Sequence, residues 1–146
     1  MKILPLPPLL VELISNGRWR QPSDDAIIKA VPFLSDPVDF LLVEAQIRRE
    51  SKGTLADNPQ WAEVSHMYRG SMVEARPLPW LDADMALMIA VNREAGADVG
   101  IALDCRANMS NPKVVASEWI GHGKETRTLW REVSPTFSKF IEKVGL

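Results

Sequence analysis

The sequence predicts an α+β fold: a single, mostly antiparallel twisted sheet with helices segregated around it. Three observations point there. Two runs of alternating hydrophobicity flank a glycine-containing connection between residues 85 and 105. Two further strand-like runs follow, and an amphipathic helix with an apolar stripe closes the chain and needs a sheet to cover.

Taken in order, Leu6, Leu9, Leu10 and Leu13 fall three and four apart, on one face of a short helix. Pro8 is tolerated only in its first turn, and Gly17 is placed to end it. Ser23-Asp24-Asp25 starts a second helix with acids at its positive end, and Pro32 stops it. The apolar run from Val38 to Val43 carries one acid and is open between strand and helix, because so short a run has no decisive period. Glu44 to Glu50 reads as a short helix and Asn58 to Tyr68 as another.

In the hairpin, placing Asn92 opposite Asp98 puts Met85, Leu87, Ile89, Val91, Val99, Ile101, Leu103 and Cys105 on one core face. The other face is small at its centre (Ala86, Ala90, Gly100, Ala102), so something approaches the backbone closely there or covers it lightly. Lys113 to Ile120 and Arg127 to Val133 are the next strands, joined through Gly121 and Gly123; Trp119 opposite Thr128 would make Trp119 and Trp130 diagonal neighbours. Ser134-Pro135 offers an N-cap and a first-turn proline. Phe137, Phe140, Ile141 and Val144 form the stripe of the last helix, which Gly145 ends.

Size and composition exclude several classes. The 146 residues, 46% apolar and 25% charged, suit one globular domain spanning 1–146. Seventeen basic against nineteen acidic residues give a net charge of −2, which argues against nucleic-acid binding through a dense basic surface. No apolar run approaches the roughly 18 residues of a membrane span. The start, with one lysine, scattered prolines and an early acid at Glu12, lacks a signal core and a cleavage site. The expected compartment is therefore the cytoplasm, and one cysteine excludes an internal disulfide framework.

Candidate chemistry is sparse. Cys105 falls on the apolar side of its strand, where a thiol is inert. His66, His122 and Cys105 have no paired short spacing of metal ligands, and solvated surface histidines explain them as well. Asp82, Asp84 and Asp98 occupy turn and cap positions, and Asp104 with Arg106, two apart, suits a local ion pair. Gly96-Ala97-Asp98-Val99-Gly100 lacks both the phosphate-loop and the dinucleotide pattern. No catalytic set, metal site or cofactor is expected. Five tryptophans, Trp80, Trp119 and Trp130 among them, supply contact area for packing or for a partner.

The order of short segments carries a resemblance. Pro79-Trp80-Leu81-Asp82, Ile89-Ala90-Val91-Asn92, Gly96 through Asp104, Asn111 through Trp119, Trp130-Arg131-Glu132-Val133 and Pro135 through Phe140 follow one another as in the SMI1/KNR4 family of the SUKH superfamily. Phe40-Leu41-Leu42 leading into Ile47-Arg48-Arg49-Glu50 resembles the family's first strand and short helix. Cys105 stands where an aromatic such as tyrosine is expected, which removes a possible polar contact. The resemblance implies an α+β fold with one twisted sheet and no catalytic apparatus. It also implies a protein-binding role, as in bacterial immunity proteins that bind and block a cognate toxin domain.

The leading expectation is thus a non-enzymatic binder that occludes a partner's active site, the partner being a toxin domain such as a nuclease. Its contact residues would be Asp82, Asp84, Asn92, Arg93, Glu94, Asp98 and Trp119. The alternative is a small hydrolase or small-molecule-binding enzyme using Asp98 or Asp104 with His122. A homodimer formed through the small-residue sheet face is a third reading.

Overall fold

The computed structural model describes residues 3–54, 59–70 and 76–146, and side chains other than those of residues 54 and 59–61. Helix α1 (Pro8–Ser15) has a proline in its first turn and ends at Asn16, where Gly17 takes φ +75°. Helix α2 (Asp24–Ala30) is capped by Ser23, whose hydroxyl accepts from the Ala26 amide, with Asp24 and Asp25 in its first turn. The ambiguous run resolves as strand β1 (Val38–Phe40), followed by α3 (Glu44–Thr54) and α4 (Pro59–Val64). Then come β2 (Met67–Tyr68), β3 (Leu81–Asp82), a single 3-10 turn at Ala83–Met85, β4 (Ala86–Asn92) and β5 (Gly100–Asp104). Strands β6 (Lys113–Ile120) and β7 (Arg127–Ser134) precede helix α5 (Phe137–Val144).

Five strands form an antiparallel sheet in the order β1-β4-β5-β6-β7, and β2 and β3 add a two-residue parallel pair. With helices packed around that sheet, this is the expected α+β architecture.

Four local expectations are corrected. The helix expected over Asn58–Tyr68 stops at Val64, because His66 adopts φ 50° and the chain turns into β2; Asn58 itself lies outside the described residues. Helix α3 runs four residues past Glu50. Ser134 is the last residue of β7 rather than an N-cap; Thr136 caps α5 by accepting from the Lys139 amide, one residue after the proline. On the β5 side Val91 pairs with Gly100, a register in which Asn92 does not come opposite Asp98.

The last correction stems from a β-bulge between Met88 and Ala90. Before it the register is the expected one, with Leu87 opposite Leu103. After it Ala90 pairs with Ile101 and Val91 with Gly100, so the faces exchange. Phe40, Ala90, Ile101 and Ala116 make one row across the sheet. That row faces the aromatic cluster of Trp19, Phe40, Phe137 and Phe140, with ring centroids 5.1–6.3 Å apart. Val91, expected with the core set, turns to the opposite face beside Gly100, and Met85 sits in the turn before β4.

That second face, offered for a homodimer, is partly covered by the chain itself. Trp130 and Ser117 pair on it, and the Trp130 indole N–H donates to the Ser65 carbonyl between α4 and β2 at 3.0 Å. Close approach is the solution adopted: Gly100 and Ala102 are fully buried, and a Cβ on Gly100 would lie 2.6 Å from Met88 Cε and 2.9 Å from the Ala90 carbonyl oxygen. Trp119 pairs with Thr128 as expected, so the two tryptophans are diagonal neighbours.

Some outward backbone groups of the sheet's outer strands are met by side chains and loops. On β1 the Gln21 amide accepts from the Phe40 N–H at 2.6 Å and donates to the Val38 carbonyl at 3.1 Å, taking both bonds a neighbouring strand would make. The Trp19 indole N–H donates to the Leu41 carbonyl just beyond. On β7, the Thr128 carbonyl receives the His66 ring at 2.6 Å and the Trp130 N–H donates to the Pro79 carbonyl at 3.3 Å. His66 is therefore buried against Trp80 rather than solvated.

Candidate functional site

The seven expected contact residues fall into two groups at opposite ends of β4, about 20 Å apart for a seven-residue strand. Asp82 and Asp84 precede it. Asn92, Arg93 and Glu94 leave it, with Asp98 and Trp119 at the same end of the neighbouring strands.

At the first end, Asp82 is buried and its carboxylate accepts from the Asp84 amide at 3.0 Å. Asp84 is exposed, pairs with Arg69 at 3.0 Å and accepts from the Gly70 amide at 3.1 Å. Beside them Arg106 grips Asp104 with two nitrogens, at 2.9 and 2.8 Å. The same guanidinium donates to the Tyr68 hydroxyl at 3.2 Å, to the Trp80 carbonyl at 3.0 Å and to the Arg76 carbonyl. This network fastens the 76–80 segment to the end of β5. Its carboxylates are structural.

Burial raises the Asp82 carboxyl above its ordinary value of 3.8, with Asp84 and Asp104 adding repulsion, while the Asp84 amide and Arg106 pull the other way. A carboxyl raised in the folded state costs stability once ionised and costs nothing when protonated in both states. Asp82→Asn keeps the acceptor for the Asp84 amide and removes the charge. It is expected to raise the urea midpoint at pH 7, with the gain shrinking as pH falls toward 3.8.

Cys105 is the other perturbed group here. Burial, and secondarily the Asp104 charge, push its thiol up to about 12. At pH 8 a thiol-reactive disulfide is expected to label the native protein far more slowly than the urea-unfolded chain, read by absorbance of the released thiolate.

At the second end, Arg93 is the organising side chain. It pairs with Asp39 at 2.8 Å and with both oxygens of Asp24 at 3.0 and 3.2 Å, joining β1, β4 and the start of α2. The hydrogen bond from Arg93 lowers the Asp24 carboxyl, and the two acids raise the guanidinium. The Asn92 side chain donates to the Glu94 carbonyl at 2.7 Å, and the half-buried Trp119 donates to the Ala97 carbonyl at 2.8 Å, shaping the hairpin connection. Arg93, Glu94 and Asp98 remain exposed.

The hydrolytic alternative takes Asp98 or Asp104 with His122, and the two acids stand at opposite ends of β5. Asp98 lies before β5 and Asp104 ends it, six residues or about 20 Å away along an extended chain. His122 is exposed in the β6–β7 connection, at the Asp98 end. Asp104 is held by Arg106. Among the described residues no group of three or more His, Cys, Asp or Glu could hold a metal ion. No described helix is long and apolar enough to cross a membrane.

A cavity of about 260 Å³ lies on the second face of the sheet, bounded on the other side by Gly53 of α3, Ser65 in the α4–β2 connection and Met67 of β2. Met67, Met88, Val91, Val99 and Trp130 form its apolar wall. Ser65 and Ser117 line it within, and Asn92 and Asp98 open it toward the Arg93 end. Sequence reasoning missed this feature, since Ser65 and Met67 belong to a stretch read as helix.

No family model, curated protein or solved structure matches this chain.

Proposed function

We propose that the protein is a non-enzymatic protein-binding domain, and specifically an immunity protein that binds and neutralises a cognate bacterial toxin domain. The carrying observation is the charged surface at the Arg93 end of the sheet. There Asp24 and Asp39 hold one guanidinium through three hydrogen bonds, and Glu94 and Asp98 stand exposed in the hairpin connection that follows it. Such a surface meets a basic partner without first ordering long side chains, which lowers the cost of association. It suits a nuclease, whose cleft attracts phosphate. Two further observations support the reading: the α+β fold is the one the SMI1/KNR4 resemblance implies, and the buried Asp104 carboxylate is committed to its pair with Arg106.

The experiment is co-purification of the domain with the product of the adjacent gene, followed by calorimetry. A stoichiometric complex is expected. Glu94→Lys should weaken it about tenfold or more and flatten its salt dependence, with the melting temperature unchanged. Failure of the neighbouring products to bind would overturn the proposal, as would substrate turnover lost on neutralising Asp98 or His122.

A further inference from the structure

We propose that the cavity between α4–β2 and the second face of the sheet binds a small cationic ligand: a primary amine on a compact apolar or aromatic body. The inference is independent of any protein partner. It rests on three observations.

The first is size. The space is about 260 Å³, and an apolar cavity of about 150 Å³ already takes up benzene, so a ring with a short arm fits. Gly100 lines it where Met88 packs so closely, 2.6 Å from a would-be Cβ, that no side chain fits at that position.

The second is an unspent polar group. Ser65 is 3% exposed, lines the cavity, and its hydroxyl has no hydrogen-bond partner among the described residues. Buried hydroxyls are almost always paired, and an orphan on a residue of the cavity wall is suited to a ligand. Two nearby N–H donors are taken, the Trp130 indole by the Ser65 carbonyl and the Gly100 amide by the Ser117 hydroxyl at 2.9 Å.

The third is the sign of the lining. Among the described residues that line the cavity Asp98 is the one charged side chain, with no lysine or arginine beside it. The Asn92 side chain spends an N–H on the Glu94 carbonyl, which leaves its oxygen as an acceptor. An acceptor-rich mouth over an apolar wall selects a donor-bearing cation and disfavours a carboxylate.

The test is a nitrogen–proton NMR titration of the full chain with benzylamine, benzyl alcohol and benzoate. Benzylamine is expected to shift the Ser65 and Gly100 amides and the Trp130 indole saturably, with a Kd of about 1 mM or tighter. Benzyl alcohol should bind more weakly and benzoate not at all. Ser65→Ala should weaken benzylamine about five- to tenfold, Asp98→Asn should bring it to the level of benzyl alcohol, and Val91→Phe, which fills the cavity, should abolish the shifts. The proposal is overturned if benzylamine does not saturate, if benzoate shifts the same resonances equally, or if Val91→Phe or Ser65→Ala binds as the parent does.

Discussion

Replacing Arg106 with methionine is expected to lower the unfolding free energy by about 3 kcal/mol, measured by urea denaturation at pH 7. The size follows from what is left behind. The Asp104 side chain is only 7% exposed, and without its guanidinium partner it becomes a buried, unpaired carboxylate. Arg106 itself keeps 21% of its side chain exposed, so water can partly replace it, which sets the expected loss at the lower end for broken buried pairs. Arg106→Lys should not restore stability, because one ammonium cannot reproduce the two-pronged grip on Asp104 together with the bonds to the Tyr68 hydroxyl and the Trp80 carbonyl. Adding Asp104→Asn to Arg106→Met should recover part of the loss. If the double variant is no better than the single one, the cost lies in freeing the 76–80 segment rather than in the stranded charge.

Phe140→Ala should cost still more, about 3–5 kcal/mol, by opening a hole in the aromatic cluster. Phe140 is fully buried and its ring stacks on Phe40 at 6.3 Å; Phe40 in turn meets Trp19 at 5.1 Å. The hole would open where the N-terminal segment, the outermost strand and the last helix converge, so none can close it alone. With a typical domain stability of only about 5–15 kcal/mol, this variant approaches the limit of folding. Phe140→Leu serves as the graded control, expected to lose distinctly less because most of the volume is kept. Equal losses in the two variants would show that ring stacking, not volume, dominates.

These two sites also mark what the sequence could and could not reveal. The stripe of α5 and the register of Trp119 against Thr128 were legible because period and turn spacing agree there. The Asp104–Arg106 pair was legible because its members stand two residues apart, whereas the Tyr68 hydroxyl and Trp80 carbonyl come from distant loops with no local signal. The bulge in β4 was hidden for a different reason. Every residue from Ala86 to Val91 is apolar, so a one-residue slip leaves the pattern unchanged and only the packing of Gly100 against Met88 reveals it. The end of α4 was hidden too, since His66 adopts the left-handed conformation that a glycine would have announced. Of the candidate contact residues, Arg93, Glu94, Asp98 and Asp84 are exposed, while Asp82 is buried and Asn92 and Trp119 fasten the hairpin connection. Nothing in the sequence distinguishes Ser65 from any other serine. Its interest comes from burial without a partner.

The Gln21 amide gives the first twenty or so residues a second duty. It imitates one peptide unit against Val38 and Phe40, so the strand it guards stays unavailable only while the leading segment is docked. Undocking by proteolysis, truncation or local melting would uncover a template for pairing between molecules. Loss of the leading segment would then register as concentration-dependent polymerisation before any collapse of the remaining core.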